Sequence, residues 1–132
     1  MAATKQSLRV LVGEDNRDGA DTLAALLRFS GFATEIARDG LEALELADRM
    51  KPDVVVLDIG LPGVNGYDVC QHIRATAWGR YTAVIAVTGW SQEDARKRSI
   101  EAGVDLHLVK PVRDTDLIDA VKSHARAAPH AA

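Results

Sequence analysis

Five polar or charged side chains stand where apolar runs of the sequence end: Glu14, Asp15, Asp58, Thr88 and Lys110. Carboxylates brought close together repel one another, and a hard divalent cation such as Mg²⁺, which prefers oxygen ligands and keeps bound waters, would relieve that repulsion. A carboxylate nucleophile, a hydroxyl and an ammonium are also the groups needed to place a phosphoryl group on a carboxylate. Taken singly, each residue has an ordinary interpretation as a helix start, a loop cap, a loop hydroxyl or a surface charge.

The elements that would bring these side chains together are five predicted β-strands, at about residues 8–12, 33–37, 53–58, 83–87 and 104–109. Helical patterns alternate with them, which is typical of a parallel sheet covered by helices on both faces. The first, third and fourth strands are the most continuously apolar and should be central, whereas the second and fifth carry polar residues and should lie at the edges. This predicts an α/β, flavodoxin-like (βα)5 doubly wound fold with strand order 2-1-3-4-5 and all five side chains on one rim.

Capping and breaking residues set the predicted limits of the helices. Asp15 or Asn16 can cap the first helix from about residue 17, and Gly31 fits its end. The buried face of the second helix is predicted to carry three residues: Leu41, Leu44 and Ala47. The fourth helix, residues 91–102, is mostly polar, and its run Arg96-Lys97-Arg98 is interpreted as a solvated face or as a contact for an acidic partner.

Composition and charge limit the class of protein. The 132 residues suffice for one domain, predicted to span 8–126 between a flexible N-terminus, 1–7, and a frayed tail, 127–132. The net charge of -3 provides no electrostatic case for a nucleic-acid partner. The lone Cys70 falls in an apolar helical stripe and is expected in the core. No run resembles a signal peptide or approaches membrane-spanning length, so we expect a cytoplasmic protein with no membrane partner.

Four short motifs follow one another at the ends of the predicted strands. They are Gly13-Glu14-Asp15-Asn16, Val56-Leu57-Asp58-Ile59-Gly60-Leu61-Pro62-Gly63, Val87-Thr88-Gly89 and Leu108-Val109-Lys110-Pro111. With these motifs in this order, the chain resembles the receiver domain of two-component response regulators from about Leu8 to Ala125. The resemblance implies a phosphorelay signalling domain that catalyses its own phosphorylation and dephosphorylation, rather than a conventional enzyme.

The resemblance also implies roles for the residues at the rim. Asp58 would accept a phosphoryl group from a phosphohistidine on a sensor or hybrid histidine kinase. Mg²⁺ would be held by Asp15, Asp58 and the backbone carbonyl of Gly60, with Glu14 helping directly or through a water. Many members of the family have two aspartates where this chain has Glu14 and Asp15.

Thr88 and Lys110 would contact the phosphoryl oxygens, and the Lys110-Pro111 peptide bond is expected to be cis. The family's switch position, usually tyrosine or phenylalanine, is His107 here. This histidine is interpreted either as part of the switch or as a half-exposed edge-strand residue with no role. The output surface, where a downstream protein could bind, would be formed by the fourth helix, the fifth strand and the fifth helix.

Other functions explain fewer of these residues. A phosphohydrolase of the haloacid-dehalogenase type also uses a strand-end aspartate, but it needs a second acid two residues later, where this chain has Gly60. A flavin mononucleotide carrier would need a phosphate loop where Glu14 and Asp15 would repel phosphate. A structural pseudo-receiver would not be expected to keep the full set of side chains. The sequences of residues 58–63 and 103–112 are similar to those of receivers attached to hybrid histidine kinases. This similarity favours a receiver of a hybrid kinase over a stand-alone regulator.

Overall fold

The computed structural model describes residues 8–89 and 93–126. In these residues five β-strands alternate with five α-helices, and a single 3-10 turn at Trp78–Arg80 follows the third helix. The strands are β1 Arg9–Gly13, β2 Ala33–Ala37, β3 Val54–Asp58, β4 Ala83–Thr88 and β5 Leu106–Val109. The helices are α1 Arg17–Phe29, α2 Gly40–Met50, α3 Gly66–Ala75, α4 Glu93–Ala102 and α5 Asp114–Arg126. The predicted flexible ends, 1–7 and 127–132, and the predicted helix start at 91 lie outside the described residues.

The five strands form one parallel sheet in the order β2-β1-β3-β4-β5, so the predicted fold class and strand order are confirmed. β3 lies at the centre, and its first four residues are buried. Asp58 pairs with Val87 of β4, and Thr88 at the end of β4 pairs with Val109 of β5. Because all strands run in the same direction, their carboxyl ends meet at one rim of the sheet.

Alternate side chains of the central strand enter two separate hydrophobic cores. Val55 and Leu57 pack on the side covered by α2 and α3, and Val54 and Val56 pack on the side covered by α1 and α5. A strand buried on both faces must be apolar at every position, which explains the unbroken aliphatic run. Each such side chain contributes about 1.5–3 kcal/mol on burial, so the middle of the sheet is the rigid part of the molecule.

The first helix has the predicted signals at both ends. Of the two candidate caps, Asn16 is the one used, since its side chain accepts a hydrogen bond from the Gly19 N–H. At the other end Gly31 adopts a φ of 99°, and the Phe32 N–H donates to the Leu27 carbonyl. This is the Schellman arrangement, in which a left-handed residue satisfies the last carbonyls of the helix.

The predicted buried face of α2 was partly wrong. Ala47 is buried and Leu44 is partly buried, but Leu41 is 59% exposed. Gly40 and Ala43 take the inward positions instead. The helix start lies so close to the β3–α3 loop that a Cβ on Gly40 would stand 1.8 Å from the Val64 carbonyl oxygen. This close approach puts the small residues inward and turns Leu41 towards solvent.

The helices of the described residues are short. The longest, α1 and α5, have 13 residues each, and none of the described helices is long and apolar enough to cross a membrane.

We expect Gly40→Ala to destabilise the fold, because the added methyl group meets backbone rather than a movable side chain. Overpacking of this kind costs about 1–3 kcal/mol in the free energy of unfolding, measured by urea denaturation. Gly89→Ala is the matched control, since a Cβ there has nothing within 4 Å. Equal unfolding midpoints for the two variants would contradict the close approach of α2 to the loop.

Candidate active site at the carboxyl rim of the sheet

The loop after β1 presents two acids at the rim. The Glu14 N–H donates to the Ala37 carbonyl over 3.0 Å, which ties this loop to the end of β2. The Glu14 carboxylate accepts from the Asn16 N–H over 2.9 Å, and this fixes its orientation. Asp15 is exposed between them.

Asp58 is the last residue of β3, and its carboxylate is held at both oxygens. Oδ1 accepts a hydrogen bond of 2.8 Å from the Gly60 N–H, and Oδ2 accepts one of 2.7 Å from Nζ of Lys110. The side chain is 12% exposed. The carboxylate therefore has a defined position and remains open to an incoming group on its solvent side.

Lys110 reaches the site from the loop after β5. Its backbone N–H donates to the Thr88 carbonyl over 2.7 Å, and the Lys110-Pro111 peptide bond is cis, as the resemblance implied. The ammonium also lies 3.8 Å from Oε1 of Glu14. One cation thus contacts two carboxylates, one from the loop after β1 and one from the end of β3.

The three predicted acids do converge. Glu14, Asp15 and Asp58 each offer a carboxylate oxygen, and these oxygens lie within 4.8 Å of one another. Three carboxylates and one ammonium leave a local excess of negative charge. An all-oxygen donor set with this excess, open to water on one side, fits a hard divalent cation such as Mg²⁺.

The electrostatics of the site follow from burial and from this crowding of charge. Burial raises the pKa of Glu14, and repulsion from Asp58 adds to it, whereas the Asn16 N–H and Lys110 oppose it. Burial alone would lower the pKa of Lys110. The hydrogen bond that Lys110 donates to Asp58 and the charges of the three acids outweigh burial, so the pKa of Lys110 is raised. The lysine is therefore a fixed positive charge at neutral pH.

Thr88 and His107 belong to the two strands that follow β3 across the sheet, β4 and β5. Thr88 is buried at the end of its strand, beside the loop that carries Lys110. His107 is half-buried, with Nδ1 2.7 Å from the Ser99 hydroxyl of α4. The sequence interpretation assigned no role to Ser99. Its spacing of three residues from Ala102, which gives a polar helix one face with two small residues, was the sequence signal that could have found it.

Two other predictions concern α3 and α4. Cys70 is fully buried in the core, as predicted, and burial raises the pKa of its thiol to about 11. The interpretation of Arg98 as a solvated or partner-binding charge was incomplete. Its guanidinium lies 4.6 Å from the centre of the Tyr67 ring, which is an intramolecular cation–π contact between α4 and α3.

A cavity of about 530 Å³ adjoins the acids on the side covered by α1 and α5. Asp58, Glu14 and Lys110 lie at its polar end, and Val56 and Leu117 are among its apolar walls. The acids therefore lie at the edge of a partly apolar cavity as well as at the surface.

Comparison with known proteins identifies the family. The family model of the response regulator receiver domain matches residues 10–122. The response regulator MprA of Mycobacterium leprae is 33% identical over 119 residues, which cover 90% of this chain and 51% of the relative. MprA of Mycobacterium sp. strain KMS is 34% identical with the same coverage. The chain therefore spans about half the length of these curated relatives.

Solved structures agree with this result. The receiver domain of sensor histidine kinase PA1611 from Pseudomonas aeruginosa, solved with a magnesium ion coordinated in its active site cleft, has a TM-score of 0.81 and 28% identity. The match covers 92% of this chain and 99% of the PA1611 receiver chain. A CheY-like receiver domain from Methanospirillum hungatei has a TM-score of 0.88 at 24% identity, with 96% and 100% coverage. The phosphohydrolase alternative finds no support in these matches.

The five-stranded order, the cluster of acids and the extent of the match lead to one conclusion: this chain belongs to the response regulator receiver domain family, whose members act in two-component signalling.

Proposed function

We propose that Asp58 is the phosphoacceptor of this receiver domain, and that it takes its phosphoryl group from a phosphohistidine of a sensor or hybrid histidine kinase. The observation that carries the proposal is the position of its carboxylate. It ends the central strand, stands beside two further acids and lies 2.7 Å from the ammonium of Lys110. A fixed carboxylate beside a fixed cation and a cluster of oxygen ligands suits a nucleophile in phosphoryl transfer.

The proposed cycle has two steps, each of which forms one bond to phosphorus and breaks another. In the first, a carboxylate oxygen of Asp58 attacks phosphorus while the bond to the histidine nitrogen breaks, and that nitrogen keeps the electron pair. In the second, the oxygen of a water attacks phosphorus, the bond between phosphorus and the Asp58 oxygen breaks, the carboxylate is restored and the protons of the water leave with inorganic phosphate. Lys110 remains charged throughout and neutralises oxygens of the group in transfer.

Mg²⁺ is part of the proposal. Asp15, Asp58 and the backbone carbonyl of Gly60 would hold it, with Glu14 binding directly or through a water. When bound, Mg²⁺ supplies positive charge that offsets the repulsion of the carboxylates and of the phosphoryl oxygens. The exposed Asp15 and the oriented Glu14 leave one side of the cluster open to water, as this cation requires.

The output would be a change at the surface formed by α4, β5 and α5, where a downstream protein could bind. The Thr88 hydroxyl stands at the end of β4 and would turn towards the phosphoryl oxygens. His107 on β5 would respond to that movement as the switch residue. The polar character of α4 supports this surface, since an element that buries little apolar area is readily shifted.

We expect the protein to gain the mass of one phosphoryl group when it is incubated with acetyl phosphate or phosphoramidate and Mg²⁺. The adduct should be cleaved by hydroxylamine, as acyl phosphates are, and should be absent from Asp58→Asn. Mass spectrometry of the intact protein measures both. The assignment of the acceptor would be wrong if the adduct persisted in Asp58→Asn, and the role of Mg²⁺ would be wrong if it formed in EDTA.

Lys110→Ala should slow phosphorylation, because the charge on the transferred oxygens loses its nearest protein cation. Removal of one such contact costs about 2.7–4 kcal/mol, or about 10²–10³ in rate. Rates of phosphorylation by acetyl phosphate, followed by quenched mass spectrometry, test this. Lys122→Ala is the matched control, since this lysine is exposed on α5. Wild-type rates in Lys110→Ala would exclude the lysine from the chemistry.

Glu14→Gln should stabilise the metal-free protein at neutral pH. The pKa of Glu14 is raised above its ordinary value of 4.5 in the folded state. Its ionised form is therefore destabilising above the folded pKa, and this effect disappears as the pH falls below about 4.5. The advantage of Glu14→Gln in urea denaturation should shrink over the same range, and saturating Mg²⁺ should stabilise wild type more than the variant. Glu35→Gln, at an exposed strand position, should show neither effect.

A further inference from the structure

The described side chains of α4, those of residues 96–102, hold it to the domain chiefly through hydrogen bonds and a cation–π contact. Among the side chains described in this helix, those of residues 96–102, the buried ones are Ser99 and Ala102. Ile100, the largest apolar side chain among them, is 70% exposed. A serine hydroxyl and one methyl group bury little apolar area, so polar contacts determine where this part of the helix lies.

The carboxyl end of α4 is anchored from α3. The Cys70 thiol donates to the Ala102 carbonyl over 3.2 Å, and Nε of Arg74 donates to the Gly103 carbonyl over 2.9 Å. Arg74 also holds the carboxylate of Asp105, at 2.7 Å, just before β5 begins. These three contacts hold the turn between α4 and β5 against α3.

The last turn of α4 is tied to β5 by the hydrogen bond between Ser99 Oγ and His107 Nδ1, which is 2.7 Å long. Ser99 is 1% exposed. Its hydroxyl can donate to an unprotonated Nδ1 or accept from a protonated one, so the bond is compatible with either tautomer. His107 pairs with Ala86 of β4 and lies three residues before Lys110. The bond therefore joins the helix to the strand that leads into the active site.

We propose that the hydrogen bond between Ser99 and His107 is a latch that holds α4 on β5 in the unphosphorylated protein. Opening of the latch lets the helix pivot about the turn anchored by Arg74. The coupling of this opening to phosphorylation rests on the function proposed for Asp58, whereas the latch itself does not. Ser99 is a positioning residue in this device, because it acts on the site only through His107 and β5.

The first test measures amide hydrogen exchange in the unphosphorylated, metal-free protein. Ser99→Ala should raise exchange in α4 by about two- to tenfold, the factor expected for loss of one intramolecular hydrogen bond. Exchange in β1 and β3 should be unchanged. Ser123→Ala is the matched control, because Ser123 is exposed on the neighbouring helix α5, and it should leave α4 as in wild type.

The second test uses beryllofluoride, a mimic of the phosphoryl group, with Mg²⁺. If binding at Asp58 favours the open latch, removal of the latch must strengthen that binding, because coupling between two sites is reciprocal. The dissociation constant of the mimic, from an NMR titration, should therefore fall by up to the same two- to tenfold factor in Ser99→Ala and stay constant in Ser123→Ala. A purely structural role for Ser99 would not tighten this binding.

Unchanged exchange in α4 of Ser99→Ala would overturn the latch, and raised exchange with unchanged or weaker binding of the mimic would overturn its coupling to the site. Failure of wild type to bind the mimic would instead count against the proposed function, and the exchange test would then decide the latch alone.

If Ser99→Ala loses its fold, exchange will rise in β3 as well. The ¹⁵N chemical shift of His107 Nδ1 in wild type then decides, since the proposal expects it to change with the mimic and an unchanged shift overturns it.

Discussion

The ion pair between Lys110 and Asp58 is the contact on which the arrangement of the rim depends. The aspartate ends β3 and the lysine follows β5, so β4 lies between them. Adjacent strands are about 4.8 Å apart, and only a side chain with a long stem can span two such intervals. The sheet order therefore specifies a lysine rather than a shorter side chain at this position. It also puts Thr88 at the end of the intervening strand, β4.

The same ion pair makes a crowded acidic cluster compatible with a folded domain. Two acids from the β1 loop and one from β3 share a space in which their oxygens lie within 4.8 Å. The lysine offsets part of that charge, and the Gly60 and Asn16 N–H groups bind two of the carboxylates. The remaining excess of negative charge is the property on which the proposed binding of Mg²⁺ rests, because a bound cation would offset the repulsion between these carboxylates.

Two parts of the domain are held by different forces. The centre of the sheet is held by aliphatic side chains buried on both faces. The hydrophobic effect that stabilises them does not depend on the direction of a contact. The described part of α4 is held by a hydroxyl–imidazole bond, a cation–π contact and carbonyls bound from α3. Directed contacts of this kind are either made or broken. A helix attached in this way suits a surface with two alternative positions, whereas the sheet supplies the rigid frame around Asp58.

The sequence by itself determined the strand order and the place of the site. Strands that are apolar throughout were placed at the centre and strands with polar residues at the edges, and this division matches the flavodoxin-like order 2-1-3-4-5. Once the order is known, the carboxyl ends of parallel strands meet, and Glu14, Asp15, Asp58 and Lys110 are brought together without further information. The roles of these residues as phosphoacceptor, metal ligands and phosphoryl contact are predictions from the chemistry of their side chains.

Only the tertiary structure decided contacts that depend on the rotation and closeness of packed elements. Leu41 fits an apolar helical stripe, yet the approach of Gly40 to the Val64 carbonyl turns it outward. Ser99 and His107 meet because α4 lies across β5 at one particular rotation, which the polar sequence of this helix does not specify. Apolar periodicity determines which face of an element is buried when that face is large. Where the apolar face is small, the shape of the neighbouring element and a few polar contacts determine which side chains are buried. Both exist only in the assembled fold.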